Sequence, residues 1–211
     1  MELTAEEVRV LGCLVEKELT TPDQYPLSVH ALVAACNQKT SRDPVMTLDE
    51  RAVVVALEAL RAAGLAHRSG DGGRVARYAH NLTGKLGLDS EEIAALATLL
   101  LRGPQTAGEV RSRCDRLHAF TEVGDVEAVL QRLAAGTPQL VARLERLPGR
   151  KEHRYAHMLG GGPAPGAPPC AEPPAGPTPP DDRVARLESE VAALHDEVAA
   201  LRAAIAELKA R

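Results

Sequence analysis

The tetrapeptide Arg77-Tyr78-Ala79-His80 recurs as Arg154-Tyr155-Ala156-His157, and each copy closes a stretch that matches the other element by element. LTAEEVRVLGCLV at Leu3–Val15 resembles LDSEEIAALATLL at Leu88–Leu100. Glu6, Glu7, Val8 and Leu11 match Glu91, Glu92, Ile93 and Leu96; Cys36 and Cys114 hold the same place; Val53, Leu57 and Leu60 match Val126, Leu130 and Leu133. The offset drifts from 85 to 73 to 77 residues, so loops differ in length while the elements persist. The economical reading is two tandem copies of one unit.

The first copy shows what that unit is. Thr4-x-x-Glu7 is a capping box, in which side chains satisfy the free backbone N–H groups at a helix start. Val8, Leu11, Gly12 and Val15 then share one helical face, and the helix should end near Glu18–Thr20, before Pro22. Ser28 opens a second helix that turns Val29, Leu32, Val33 and Cys36 inward. The polar segment Asn37–Met46 follows, longer than the turn of a minimal helix-turn-helix. Thr47-x-x-Glu50 reads as a further capping box, starting a third helix over Thr47–Ala63 that buries Val53, Val54, Leu57 and Leu60. Leu65–Ser69 and Arg74–Ala79 are strand-like, and Gly70-Asp71-Gly72-Gly73 between them supplies the chemistry of a hairpin turn. Helix, helix, polar turn, helix and hairpin is the grammar of a winged helix-turn-helix.

In the second copy, Thr106-x-x-Glu109 caps the middle helix, and Asp125 opens a shorter third one. Leu140–Leu144 and His153–Met158 form its hairpin through Pro148-Gly149. The expected fold is mainly α with small β-hairpins (α+β): winged-helix domains over 1–86 and 87–159, then two further segments. Residues 160–180, GGGPAPGAPPCAEPPAGPTPP in essence, have almost nothing to bury and read as a disordered Pro/Gly-rich linker. Over 181–211, Val184, Val191, Val198 and Ile205 recur every seven residues, as do Leu187, Leu194, Leu201 and Leu208. β-branched residues at a and Leu at d favour a parallel two-stranded coiled coil. The flanking pairs Arg183–Glu188, Glu190–His195 and Glu197–Arg202 contain no like charges. The chain is therefore expected to be a homodimer.

Charge and composition bound the function. There are 25 Lys+Arg against 29 Asp+Glu, and one Phe, three Tyr and no Trp, so the core must be aliphatic and base stacking on aromatic platforms is disfavoured. The opening MELTAEEVRV has no apolar signal region, and no apolar run approaches membrane-spanning length. Cys13, Cys36, Cys114 and Cys170 lack zinc-ligand spacing. The expectation is a cytoplasmic protein with reduced thiols, no metal, no cofactor and no membrane partner.

The run Tyr25-Pro26-Leu27-Ser28 followed by Ala35-Cys36-Asn37-Gln38-Lys39-Thr40-Ser41-Arg42-Asp43-Pro44-Val45-Met46 resembles the YceH family of bacterial proteins. So do Leu99-Leu100-Leu101-Arg102-Gly103, Gln105–Arg113 and Pro148–Tyr155, and the match covers roughly 3–159. The resemblance implies tandem winged-helix domains in an uncharacterised family with no established biochemical activity.

Three groups of residues are candidate sites. Phosphate contact needs Lys or Arg on the third helix, the turn or the wing. The candidates are Lys39, Arg42 and Arg51; Arg74 and Arg77 at the first wing; Arg111 and Arg113 on the middle helix of the second copy; and Arg150, Lys151 and Arg154 at its wing. The turn Asn37–Pro44 could read a ligand or hydrogen-bond to itself and fix its own shape. His153 and His157 fall on one strand, about 13 Å apart along it, too far for one metal. Cys36 and Cys114 occupy inward positions and read as packing. No Gly-rich phosphate loop, nucleophile elbow or Asp/Glu/His constellation suggests an enzyme. Two functions remain: a dimeric regulator binding double-stranded DNA, which is the fold's usual employment, and a protein-interaction module dimerised by the coiled coil, which the near-neutral charge and Asp49-Glu50 favour. Light scattering at micromolar concentration should return twice the 22.4 kDa chain mass; the mass of one chain would remove the dimer.

Overall fold

A computed structural model describes residues 2–69, 75–146, 149 and 152–160. The coiled-coil expectation, and the linker beyond Gly160, lie outside the described residues. Helix α1 (Ala5–Thr20) starts at Thr4, whose hydroxyl accepts from Glu7 N–H while the Glu7 carboxylate accepts from Thr4 N–H. After a single 3₁₀ turn at Pro22–Gln24 come β1 (Leu27–Ser28), α2 (Val29–Cys36), α3 (Glu50–Ala62), β2 (Ala66–Ser69) and β3 (Arg77–His80). A short helix α4 (Leu82–Leu86), not anticipated from the sequence, leads into the second copy. That copy runs α5 (Ser90–Arg102), β4 (Gln105–Thr106), α6 (Ala107–Cys114), α7 (Val123–Ala135), β5 (Val141–Arg143) and β6 (Arg154–His157). The described residues thus form seven α-helices and two small antiparallel sheets, an α+β arrangement in which one order of elements occurs twice.

The recurring tetrapeptide has a structural reason. Arg77–His80 and Arg154–His157 are the central strands of the two sheets, ordered β1-β3-β2 and β4-β6-β5. Tyr78 faces Leu27 on one side and Arg68 on the other; Tyr155 faces Gln105 and Arg143. A middle strand must match two neighbours at once, which constrains it more than an edge. The edge strands β1 and β4 are two residues long, and no periodic pattern of that length can be read from sequence.

Three local expectations are corrected. The cap of α3 is Asp49, whose Oδ1 accepts from Ala52 N–H, rather than Thr47. Helix α7 starts two residues earlier than Asp125; Glu122 is its cap, and the Asp125 carboxylate reaches back to Glu122 N–H. Val54 is exposed and Ala56 takes the inward place, because the buried positions 53, 56, 57 and 60 follow the helical period and 54 lies about 100° off that face.

Helices α1 and α5, one from each copy, pack on each other at the centre. Every residue from Val8 to Val15 and from Ile93 to Leu101 is buried, so neither helix is merely amphipathic. Each covers its own copy with one face and the other copy with the opposite face, and a single continuous core runs from Leu3 to Leu159. The ends meet as well: Leu3 N–H donates to Leu159 O at 2.6 Å. Close approach of the two helices depends on Gly12. A Cβ there would lie 2.9 Å from Leu101 Cδ2 and 3.2 Å from Leu100 Cβ. Replacing Gly12 by Val should therefore cost about 1–3 kcal/mol through overpacking. Gly108→Ala, with no atom nearer than 4.0 Å, should cost nothing; urea melts of the two variants check the contrast.

Candidate functional site

The turn Asn37–Pro44 allows two readings, and the hydrogen bonds of the polar segment Asn37–Met46 show how it is held. Asn37 closes its base: the side chain donates to Leu48 O at 2.8 Å and accepts from Leu48 N–H at 2.7 Å. Ser41 sits at φ 62°, in the left-handed region, at the point where the turn doubles back. Next to it, Arg42 is folded inward with its side chain fully buried. Its guanidinium donates to both Glu16 oxygens, to Ala35 O, to Ser41 O and to Gln38 Oε1, at 2.5 to 3.2 Å. Arg42 is thus not available to a phosphate, a correction of the sequence expectation. A turn of this length has many carbonyls without strand or helix partners, and one guanidinium offers five donors in a fixed fork to satisfy them.

A second buried guanidinium lies beside it. Arg9, 2% exposed, donates to Cys36 O at 3.2 Å and to Pro44 O at 2.6 Å, while its Nε has no partner. No carboxylate pairs with it among the described residues, and burial pulls its pKa below the ordinary arginine value. Its signal in the sequence is Val8-Arg9-Val10, a charge inside an apolar run. The turn also reaches the second copy, since Asp43 N–H donates to Leu101 O at 2.9 Å.

Three of the remaining basic candidates are engaged with the protein's own acceptors. Arg77 donates to Pro26 O, Arg111 to Phe120 O and Thr121 O, and Arg113 to Gln105 Oε1. Gln105 is itself buried and donates to Thr98 O and Gly103 O, so Arg113 completes a structural network. Arg154 is half-buried on β6, with its Nε inaccessible and without a partner. Lys39 and Arg51 are exposed. Arg74, Arg150 and Lys151, and the heptad residues Val184 to Leu208, lie outside the described residues. His157 lies at the end of β6 and His153 just before its start, and among the described residues no group of three or more His, Cys, Asp or Glu is placed to hold a metal. Cys13, Cys36 and Cys114 are buried free thiols; the hydrogen bond that Cys36 donates to Cys13, together with burial, pushes the Cys36 pKa up, and burial pushes Cys114 up.

The outward faces of the two third helices differ from that basic pattern. On α3 they carry Glu50, Arg51, Val54, Val55 and Glu58, with Arg61 bound to Glu58 at 2.8 Å. Val55 is 62% exposed. On α7 they carry Val123, Asp125 and Glu127, beside the cap Glu122, and Arg132 turns to Asp89, Glu91 and Glu92 at the start of α5. The α7 face is mainly acidic, the α3 face is mixed in charge, and both are partly apolar. Among the described helices none is long and apolar enough to cross a membrane.

An α+β body of two like halves is the class this geometry defines. Residues 3–150 match the family described as protein of unknown function, DUF480, and the chain belongs to that family, which also carries the name YceH. A UPF0502 protein from Pelobacter propionicus is 52% identical over 198 residues, covering 90% of this chain and 89% of its own length. One from Geotalea daltonii is 58% identical over 161 residues, 76% of this chain and 74% of its own. Another, from Koribacter versatilis, is 52% identical over 157 residues.

The Arg42–Glu16 pair sets a pH dependence. Burial raises the Glu16 pKa, but hydrogen bonds and charge from Arg42 outweigh it and hold the carboxyl below its usual value. A depressed folded pKa stabilises the protein above the unfolded value, about 4.3, and that contribution is lost as pH falls through the folded value. Glu16→Gln should lower stability by on the order of 3 kcal/mol at neutral pH and flatten the acid limb of the stability curve. Denaturant melts at neutral pH and at pH below the glutamate range check both.

Proposed function

We propose that each half is a winged helix-turn-helix and that the protein is a non-enzymatic interaction module of the cytoplasm, engaging a protein partner through the outward faces of α3 and α7. The order helix–strand–helix–helix–hairpin, with the hairpin's second strand pairing to the short first strand, supports the architecture. The mixed-charge, valine-bearing surface of α3 carries the functional reading. A helix entering the major groove must approach phosphates, and Glu50, Glu58 and the cap Asp49 repel them. Exposed apolar side chains rimmed by charge suit a protein surface with basic groups at its edge. The coiled coil over 181–211 would pair two such bodies, doubling the number of contact faces.

A second reading, duplex DNA binding, is favoured by one observation. The second hairpin exposes Arg143 and Arg146, with Arg154 on its middle strand and Arg150-Lys151 next in sequence. Backbone contact by such a wing would be sequence-independent and salt-dependent.

Fluorescence anisotropy of the full chain on random-sequence duplex, over a salt series, separates the two. The interaction reading predicts no saturable binding at moderate salt, and photo-crosslinks to protein from a benzophenone at position 55 that Glu58→Arg reduces. A log–log salt slope of several phosphates, lost when Arg143 and Arg146 become Glu, would replace it with the DNA reading.

A further inference from the structure

A cleft of about 310 Å³ opens where the two halves meet. Its walls come from four places: the start of α1, the polar turn, the end of α5, and β6 with Gly160. Most of the lining is apolar, with Val8, Met46 and Leu100 among its residues. Its volume lies within the range of small-molecule sites, and so does its make-up of an apolar body with a few polar groups.

Two of those polar groups carry a buried nitrogen without a hydrogen-bond partner. Arg9 is 98% withdrawn from solvent by its 2% exposure, it has no carboxylate partner among the described residues, and its Nε makes no hydrogen bond. A buried cation without a counter-ion is costly, and an anion delivered to it recovers part of that cost. His157, at the end of β6 and also in the lining, holds a buried Nδ1 that lacks a partner. Burial lowers its pKa, so the ring is neutral at physiological pH and either ring nitrogen can carry the proton. Arg9 and His157 both belong to the lining, so an anion in the cleft has a guanidinium and an imidazole in its walls. Asp43 stands in the lining too, but it is exposed and belongs to the solvent edge.

We propose that this cleft binds a small amphipathic monocarboxylate, its carboxylate taken by Arg9 and His157 and its alkyl body laid against Val8 and Leu100. Both halves contribute walls, so the ligand bridges them, and its binding does not depend on which partner α3 engages. The charge of the headgroup is the discriminating feature: Arg9 selects an anion, whereas a site governed by Asp43 would select a cation.

The probe is octanoate, titrated into the full chain by calorimetry and by ligand-observed NMR, with octan-1-ol and octylammonium as matched controls. One saturable site per chain is expected, with the alcohol and the amine each at least tenfold weaker. Arg9→Gln should weaken octanoate tenfold or more. Because Arg9 also holds Cys36 O and Pro44 O, a second variant that leaves those bonds alone is needed. Ala5, exposed at the first position of α1 and part of the lining, provides it: Ala5→Trp should fill the cleft and abolish binding in a folded protein. Octanoate that does not saturate, that binds Ala5→Trp unchanged, or that is matched by octylammonium would overturn the proposal.

Discussion

The ion pair between Arg42 and Glu16 is the interaction on which the rest of this structure turns. It draws a ten-residue polar loop, Asn37–Met46, onto α1 and fixes the loop's path. With that path fixed, Pro44 O reaches Arg9 and Asp43 N–H reaches the end of α5. The loop therefore ties the first copy to the second, alongside the central contact of α1 with α5 at Gly12. Two guanidiniums inside one small body would be expensive if their donors were idle. Here they satisfy turn carbonyls that no strand or helix serves, which is why a loop so polar can lie against a core so aliphatic.

That arrangement redistributes the charge on which function depends. Three arginines that look free in sequence bond carbonyls: Arg42 on the turn, Arg77 on Pro26, Arg111 on the Phe120–Thr121 segment. What faces outward on α3 and α7 includes carboxylates and valines, with Arg61 and Arg132 held by carboxylates beside them. Counting basic residues thus overstates the positive surface, because it ignores how many donors the interior consumes. The near-balance of 25 basic against 29 acidic side chains gives the chain no net positive charge to attract a polyanion at long range.

Much of this architecture could be read from residues alone. The capping boxes at Thr4 and Thr106 and the glycine stop at Gly64 bound their helices because caps are local chemistry. The duplication could be read because a middle strand repeats its sequence. What could not be read was non-local. Strands β1 and β4 exist only through pairing with β3 and β6. Thr47 and Asp49 both offer a cap to α3, and only the path of the preceding turn selects between them. The inward direction of Arg42 depends on Glu16, distant in sequence, and a polar run gives no sign of which member turns in. Arg9 was legible in principle as a charge within an apolar helix, yet its role as a lining residue needs the second copy in place.

The most direct test of the turn as a structural tie is native-state hydrogen exchange at the Asp43 amide. The side chain of Asp43 is exposed, but its N–H is bonded to Leu101 O across the two copies. If the turn joins the halves as described, this amide exchanges only with unfolding of the body, as slowly as amides within α1 and α5. Exchange near the rate of an unstructured peptide would contradict the account, and would leave the polar turn free to serve as a reading surface.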